Sequence, residues 1–212
     1  KDIYYISAET SAQALASPHL EGFKSKNIPV LIMTDAIDQF WLPMIGSFKE
    51  KKFTSITQGK INLDELDSKN KDKKNKSNDD KAKQDKEYVD LIAQLKVVLG
   101  DQVKDIRLSS KLTDSPVCLV ADEGDMDIAM EQLMAQRDSN YKGAPRILEI
   151  NGDHSLIKNM KSLLSKKESN DLVSDAGTLL FEQARLMEGK MPADPAQFSK
   201  IMNQFLLKAI PN

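Results

Sequence analysis

Apolar and polar residues alternate in short blocks over the first third of the chain, a pattern typical of strands separated by amphipathic helices. Strands are predicted at residues 3–6, 30–33 and 52–57, with helical patterns at 11–24 and 37–48 between them. The run at 30–33 is apolar at every position, so we expect that strand to be covered on both faces. This order of elements predicts a small layered α/β subdomain.

A charged stretch at residues 67–84 follows this subdomain. It contains no large apolar side chain, so folding could not bury enough surface to offset the loss of conformational entropy. Acidic residues are interleaved with its lysines and no aromatic side chain is present for base stacking, so nucleic-acid binding is not indicated. We predict a linker or an exposed helix here, between the α/β subdomain at 1–66 and a second domain at 85–212.

The second domain begins with an amphipathic helical pattern and continues with short strand patterns. Three strands are predicted at residues 103–108, 117–120 and 146–150, and residues 125–137 carry a helical pattern between the last two. This mixture predicts an α+β domain with a three-stranded sheet.

Two helical patterns close the chain. The first runs from Asn170 to a stop at Gly189, and the second begins with Asp194 as a cap and Pro195 as the first helical residue. Apolar residues recur on both at spacings of three and four, which predicts a helical hairpin with an excess of apolar surface.

Composition narrows the classes of partner. The formal net charge is only -2, so no excess of either sign indicates nucleic acid or an anionic membrane. No apolar run approaches the roughly 20 residues that cross a bilayer. The single Cys118 cannot form an internal disulfide, which favours a reducing compartment, and the cytoplasm is the expected location.

Motifs of well-understood catalytic mechanism are absent from the sequence, including the glycine-rich phosphate loops, H-E-x-x-H, G-x-S-x-G and paired C-x-x-C. The best enzymatic hint is the pair Asp35 and Asp38, which follow the apolar strand where α/β sheets hold ligands and could bind magnesium. Turn and helix capping by Asp35 is the favoured interpretation, because no phosphate loop accompanies the pair. His19 is predicted to be an ordinary surface residue, and Cys118 a buried packing residue.

A methionine-rich stripe lies in the helical pattern at 125–137. Its members are spaced i, i+4, i+7 and i+8, and they are Met126, Met130, Leu133 and Met134. Unbranched thioether side chains repack easily against different partners, so the stripe could be a binding face. Spacing alone favours an ordinary core face, since most such stripes are buried.

Several segments, in this order, resemble the ninety-kilodalton heat-shock protein family, and its bacterial form most of all. They cover nearly all of the chain except the charged stretch, and they are IYYIS, ASPHLEGFKSKNIPVLIMTDAIDQF, LKVVLGDQVKDIRLSSKLTDSPVCLV, LEINGDHSLIK, LLFEQARL and DPAQFSKIMNQFL.

The resemblance implies that residues 1–66 are the last α/β part of the family's middle domain and that 85–212 are its C-terminal dimerisation domain. The ATP-binding domain, with its ATP and magnesium, would lie upstream. This chain is then expected to hold no cofactor and to be no enzyme by itself.

In that family, unfolded or partly folded client proteins touch an amphipathic helix whose positions fall on the methionine-rich stripe, and an aromatic residue of the middle domain. The aromatic matches Phe40, with Trp41 beside it, whereas Gln39 and Pro43 depart from the family's pattern. The resemblance also implies a homodimer in which two tail hairpins form a four-helix bundle. The interface candidates, some of which must pack within the monomer, are Leu172, Leu179, Leu180, Phe198, Ile201, Phe205 and Leu206.

Two alternatives stay open. One is an α/β enzyme or nucleotide-binding domain that uses Asp35 and Asp38. The other is a purely structural dimerisation module whose methionine-rich stripe is buried.

Overall fold

The computed structural model describes residues 2–59, 61–63, 86–138, 141, 143–164 and 170–210. The charged stretch predicted as a linker at 67–84 lies outside them. The described residues form two units, each built on its own sheet.

The first unit is built on a four-stranded sheet. Its strands are β1 (Ile3–Ser7), β2 (Val30–Met33), β3 (Ser47–Phe48) and β4 (Lys51–Ser55). Their order is β2-β1-β4-β3, with β1 parallel to both β2 and β4, and β3 antiparallel to β4.

Short helices accompany this sheet in the described residues, and the prediction of a single helix at 11–24 is wrong. The chain forms α1 (Ser11–Leu15), a 3-10 turn at Pro18–Leu20, α2 (Glu21–Ser25) and α3 (Asp38–Ile45). Proline cannot donate the backbone hydrogen bond that would continue α1, so the helix stops before it.

The prediction that β2 is covered on both faces is also wrong. β2 is an edge strand, and its Leu31 is 45% exposed. Val30 and Ile32 of β2 pack against the core of the first unit. This core contains Tyr4, Phe23 and Ile56. An uninterrupted apolar run does not distinguish an edge strand from a central one when only one of its faces is covered.

The end of the helix predicted at 37–48 is replaced by a β-hairpin. Gly46 has a φ of +67° and ends α3, a conformation that glycine adopts without steric cost. Strands β3 and β4 are then joined by Lys49 and Glu50, both with positive φ, as in tight two-residue hairpin loops.

The second unit carries the three predicted strands at the predicted positions. Its elements are α4 (Val89–Leu99), β5 (Val103–Leu108), β6 (Val117–Val120), α5 (Ile128–Arg137), β7 (Arg146–Ile150), α6 (Ser155–Leu164), α7 (Asn170–Met187) and α8 (Pro195–Ala209). Strand β7 is central, parallel to β5 and antiparallel to β6.

Strand β6 faces two different cores. Val117 and Leu119 pack into the large core shared with α4, α6 and α7, whereas Cys118 and Val120 pack with Leu112 on the opposite face. The alternation follows from the two-residue period of a strand. The face of Cys118 and Val120 is turned toward the first unit.

Polar contacts, of which that of Lys111 is buried, hold the two units together. The Lys111 side chain is 1% exposed, and its Nζ donates to the carbonyl of Ile56 at 3.0 Å and lies 3.8 Å from Glu149 Oε2. The Glu21 carboxylate accepts backbone hydrogen bonds from residues 113, 114 and 115. Burial opposes the ionisation of Glu21, but these bonds and that from the Ser115 hydroxyl hold its pKa below the usual value.

Candidate functional site

The methionine-rich stripe begins before its helix. Helix α5 starts at Ile128 and not at 125 as predicted, because the Asp127 carboxylate accepts from the backbone N–H of Ala129 at 3.0 Å and caps the helix. Met126 therefore lies in the preceding turn, where its side chain is 40% exposed.

The remaining members of the stripe are neither fully buried nor fully exposed. Met130, Leu133 and Met134 are half-buried, whereas the buried residues of α5 are Ile128 and Glu131. The stripe is therefore not the buried face of this helix.

Helix α3 carries the two aromatic residues predicted to contact clients. Phe40 and Trp41 are both half-buried. The Trp41 indole N–H donates to Asp38 Oδ1 at 2.7 Å, and its ring meets Phe53 edge to face with centroids 6.0 Å apart. Both contacts hold the indole in one orientation.

The pair of aspartates after β2 is engaged locally. Asp38 Oδ2 accepts from the Asp35 backbone N–H at 3.2 Å while Oδ1 binds the Trp41 indole, so Asp38 is the residue that caps this turn, and not Asp35 as predicted. Within the described part of the chain, no three His, Cys, Asp or Glu side chains are grouped to hold a metal ion.

Two grooves run between α3 and α5. The first, the Met126 groove, has a volume of about 680 Å³ and is lined by Met126 and Met130 on one side and by Leu42, Pro43 and Phe53 on the other. It brings the turn before α5 against helix α3 and strand β4.

The second, the Leu133 groove, has a volume of about 300 Å³ and lies on the other side of Gln39. Leu133 and Gln136 of α5 line it opposite Asp35 and Ala36. Gln39 lines both grooves, so the two form one surface across α3 and α5. The structure thus brings helix α3 beside Met126, Met130 and Leu133, whereas Phe40, Trp41 and Met134 line neither groove.

Several exposed apolar residues near α3 were missed by sequence reasoning. Ile37 is 62% exposed and Met44 85%, and Ile45 and Phe48 are each more than half exposed. The amphipathic pattern at 37–48 suggested that they faced a core. The signal that could have revealed them is the length of the apolar run, which exceeds what one short helix can bury.

The inner face of α5 rests on charged groups. Glu131 pairs with Arg146 at the start of β7, and Lys190 Nζ lies 3.6 Å from both Glu131 and Glu188. The Gln132 amide donates to the carbonyl of Glu188 at 2.6 Å. Burial raises the pKa of Glu188 to about 7, against the opposing effects of Lys190 and Arg146.

The predicted dimer residues divide into three groups. Leu180 and Ile201 are 4% exposed and pack within the protomer. Those that are half-buried are Leu172, Leu179, Phe198 and Phe205. Leu206 is exposed. Sequence reasoning missed Leu207 and Ile210, which are 75% and 72% exposed on the same terminal segment.

The prediction for His19 is wrong. Its side chain is buried, and burial, reinforced by nearby Lys111, holds its pKa well below the usual value. Cys118 is buried as predicted, and burial raises the pKa of its thiol. No helix in the described part of the chain is long and apolar enough to span a membrane.

Comparison with known proteins covers nearly the whole chain. A family model described as Hsp90 protein matches residues 1–211. The chaperone protein HtpG of Roseobacter denitrificans is 41% identical over 210 residues, which are 98% of this chain and 33% of that protein. HtpG of Wolbachia pipientis wMel is 39% identical over 97% of this chain, and HtpG of Streptomyces coelicolor is 35% identical over 95%.

These matches place the chain in a family of chaperone proteins. The chain belongs to the Hsp90 family, and the relatives named above are of the bacterial HtpG type. It spans about a third of the length of the curated relatives that it matches.

Proposed function

We propose that this chain contacts unfolded or partly folded client proteins through the surface between α3 and α5. The observation that carries the proposal is that three stripe residues, Met126, Met130 and Leu133, line the same pair of grooves as helix α3, about ninety residues away in sequence. Phe40 and Trp41 belong to α3, Met130, Leu133 and Met134 belong to α5, and Met126 lies in the turn before α5.

The chemistry of these side chains suits a varied partner. Clients share exposed apolar groups and no common sequence, so the surface that binds them must adapt its shape. Methionine has three rotatable side-chain bonds and a polarisable sulfur, and it fits differently shaped apolar groups at small cost. The exposed apolar residues Met44 and Phe48 would enlarge this surface.

The tail hairpin supports homodimerisation. Helix α8 presents Met202, Leu206 and Leu207 to solvent, more apolar surface than the protomer itself covers. Pairing two hairpins around a two-fold axis would bury these side chains in a four-helix bundle. Two client surfaces in one dimer would then bind a client more tightly through effective concentration.

The chain is proposed to hold no cofactor, with ATP and magnesium bound elsewhere in the parent protein, and to work in the cytoplasm without nucleic-acid or membrane partners. The alternative enzyme with Asp35 and Asp38 has less support, because the Asp38 carboxylate is already occupied by the Trp41 indole and a backbone N–H.

Paired substitutions test client contact. Met126→Asp with Met130→Asp should weaken binding of a reduced, carboxamidomethylated, permanently unfolded protein at least tenfold by fluorescence anisotropy, because it places two charges in an apolar groove. Val89→Asp with Val97→Asp is the matched control, since both valines are exposed on α4 and line neither groove. Equal client affinity for both double variants would contradict the proposal.

A further inference from the structure

The two grooves are apolar at the floor and acidic at the rim. Around the Met126 groove lie the carboxylates of Glu123, Asp125 and Asp127, with Lys52 as the single ammonium among the described lining residues. Around the Leu133 groove lie Glu9 and Asp35, and no Lys or Arg is among the described residues that line it.

In the part of the chain that the structure describes, few cations neutralise this rim. Lys104 pairs with Asp125 at 3.0 Å, but it also pairs with Asp122 at 2.8 Å and is shared between the two. The Asp127 carboxylate accepts from the Thr57 hydroxyl at 2.9 Å and from a backbone N–H, both neutral donors that leave its charge in place. Among the described residues, five carboxylates and two ammonium groups leave an excess of three negative charges around the grooves.

Three rim carboxylates can meet a bound segment directly. Glu9, Asp35 and Glu123 are exposed. The Glu9 carboxylate accepts from the neutral Gln136 amide at 3.0 Å, and this contact places it at the end of α5 nearest the Leu133 groove. Glu123 lies at the opposite end of the surface, beside the Met126 groove. The negative charges therefore flank the apolar floor at both ends.

We propose that these grooves select apolar client segments flanked by lysine or arginine over the same segments flanked by acidic residues. The inference rests on the proposed function and specifies which clients the surface prefers. Apolar side chains would occupy the floor formed by Met126, Met130 and Leu133, and the flanking cations would lie against Glu9, Asp35 and Glu123. Charge complementarity of this kind contributes selectivity and speeds association.

The expected size of the preference follows from exposed ion pairs. One such pair changes an affinity by about two- to fivefold, so two or three acting together give about tenfold. Because the rim is open to solvent, salt should screen most of the effect. The whole chain carries a net charge of only -2, so the preference is local to the grooves.

The test compares two peptides with the same central apolar sequence, one flanked by three lysines at each end and the other by three glutamates. Anisotropy titrations with the full 212-residue chain should give about tenfold tighter binding of the lysine peptide at 50 mM salt, falling to about twofold at 500 mM. In the triple variant Glu9→Gln, Asp35→Asn, Glu123→Gln, the affinity ratio at low salt should also fall to about twofold.

A second triple variant serves as the control. Asp90→Asn, Asp101→Asn, Asp114→Asn removes three exposed carboxylates that line neither groove, and it should keep the tenfold ratio. Equal affinity of the two peptides at low salt, or an equal loss of the ratio in both triple variants, would overturn the inference and leave client binding itself intact. Failure of both peptides to bind would overturn the proposed function as well.

Discussion

The Arg146 guanidinium forms an ion pair with the Glu131 carboxylate beneath helix α5, and both side chains are only 4% exposed. The same guanidinium donates from Nη1 to the carbonyl of Met126 at 3.1 Å. One buried side chain thus fixes both the turn that carries Met126 and the first turns of α5. A buried charge pair therefore helps to set the position of the proposed client surface.

Removing one partner of this pair should be costly. Arg146→Met leaves the Glu131 carboxylate buried with only Lys190 nearby, and the free energy of unfolding should fall by about 3–5 kcal/mol. The double variant Arg146→Met with Glu131→Met should recover most of that loss, since no buried charge is left unpaired. Urea denaturation of the three proteins measures both effects.

The exposed pair of Lys158 and Asp153, whose charged atoms lie 3.2 Å apart, provides the control. Lys158→Met should change the free energy of unfolding by less than about 1 kcal/mol, because water screens the pair. A similar small loss for Arg146→Met would show that the buried pair does not hold α5 in place.

The raised pKa of Glu188 predicts a pH-dependent stability. Its pKa of about 7 in the folded chain exceeds the ordinary 4.5, so the folded state binds the proton more tightly than the unfolded state. The resulting stabilisation is complete below pH 4.5 and is lost as the pH rises through 7. Relative to Glu188→Gln, the native chain should lose about 1–3 kcal/mol between pH 5 and pH 8. Urea denaturation at a series of pH values measures the free energy of unfolding of both proteins. The same pH dependence in both would refute this assignment.

Close packing at Gly22 joins the two units. A Cβ atom at this position would lie 2.5 Å from the Lys111 carbonyl oxygen, a backbone atom that cannot rotate away. Gly22→Ala should therefore lower the free energy of unfolding by about 1–3 kcal/mol despite alanine's better helix propensity. Gly124→Ala is the control, because nothing lies within 4 Å of its Cβ position. Thermal denaturation measures the stability of both variants. An equal loss of stability in the two would contradict the close approach of Gly22 to the Lys111 backbone.

Dimerisation through α8 should be disrupted by Leu206→Asp with Leu207→Asp. Both leucines are at least half exposed in the protomer, so charges there should leave the monomer folded while opposing the burial of two apolar faces. Sedimentation at tens of micromolar should show a dimer for the native chain and a monomer for the variant. Met126→Asp with Met130→Asp should remain dimeric. Sedimentation of the native chain as a monomer would contradict the proposed homodimer.

Some of this architecture could be predicted from the sequence and some could not. Strands β5, β6 and β7 were placed correctly because each is a short segment with recurring Val, Ile or Leu residues, bounded by turn residues. The β3–β4 hairpin was missed because its loop uses Lys49 and Glu50, residues that rarely adopt positive φ. Local patterns carry little information about such conformations.

Long-range contacts account for the other errors. His19 is buried by the second unit, whose Lys111 lies ninety-two positions away in the sequence, so its local sequence gave no sign of burial. The ion pair of Glu131 and Arg146 joins a helix to a strand across a loop, and neither residue carries a motif. Leu180 and Leu206 belong to equally regular apolar stripes, and only the packing of the tertiary structure separates the core residue from the exposed one.

Methionine oxidation footprinting, with and without an unfolded client, tests the proposed client surface most directly. Binding should slow the oxidation of Met126 and Met130, because the client would cover the groove that they line. Met191, which is 72% exposed and lines neither groove, should oxidise at the same rate in both samples. Unchanged oxidation of Met126 and Met130 at saturating client would contradict the account.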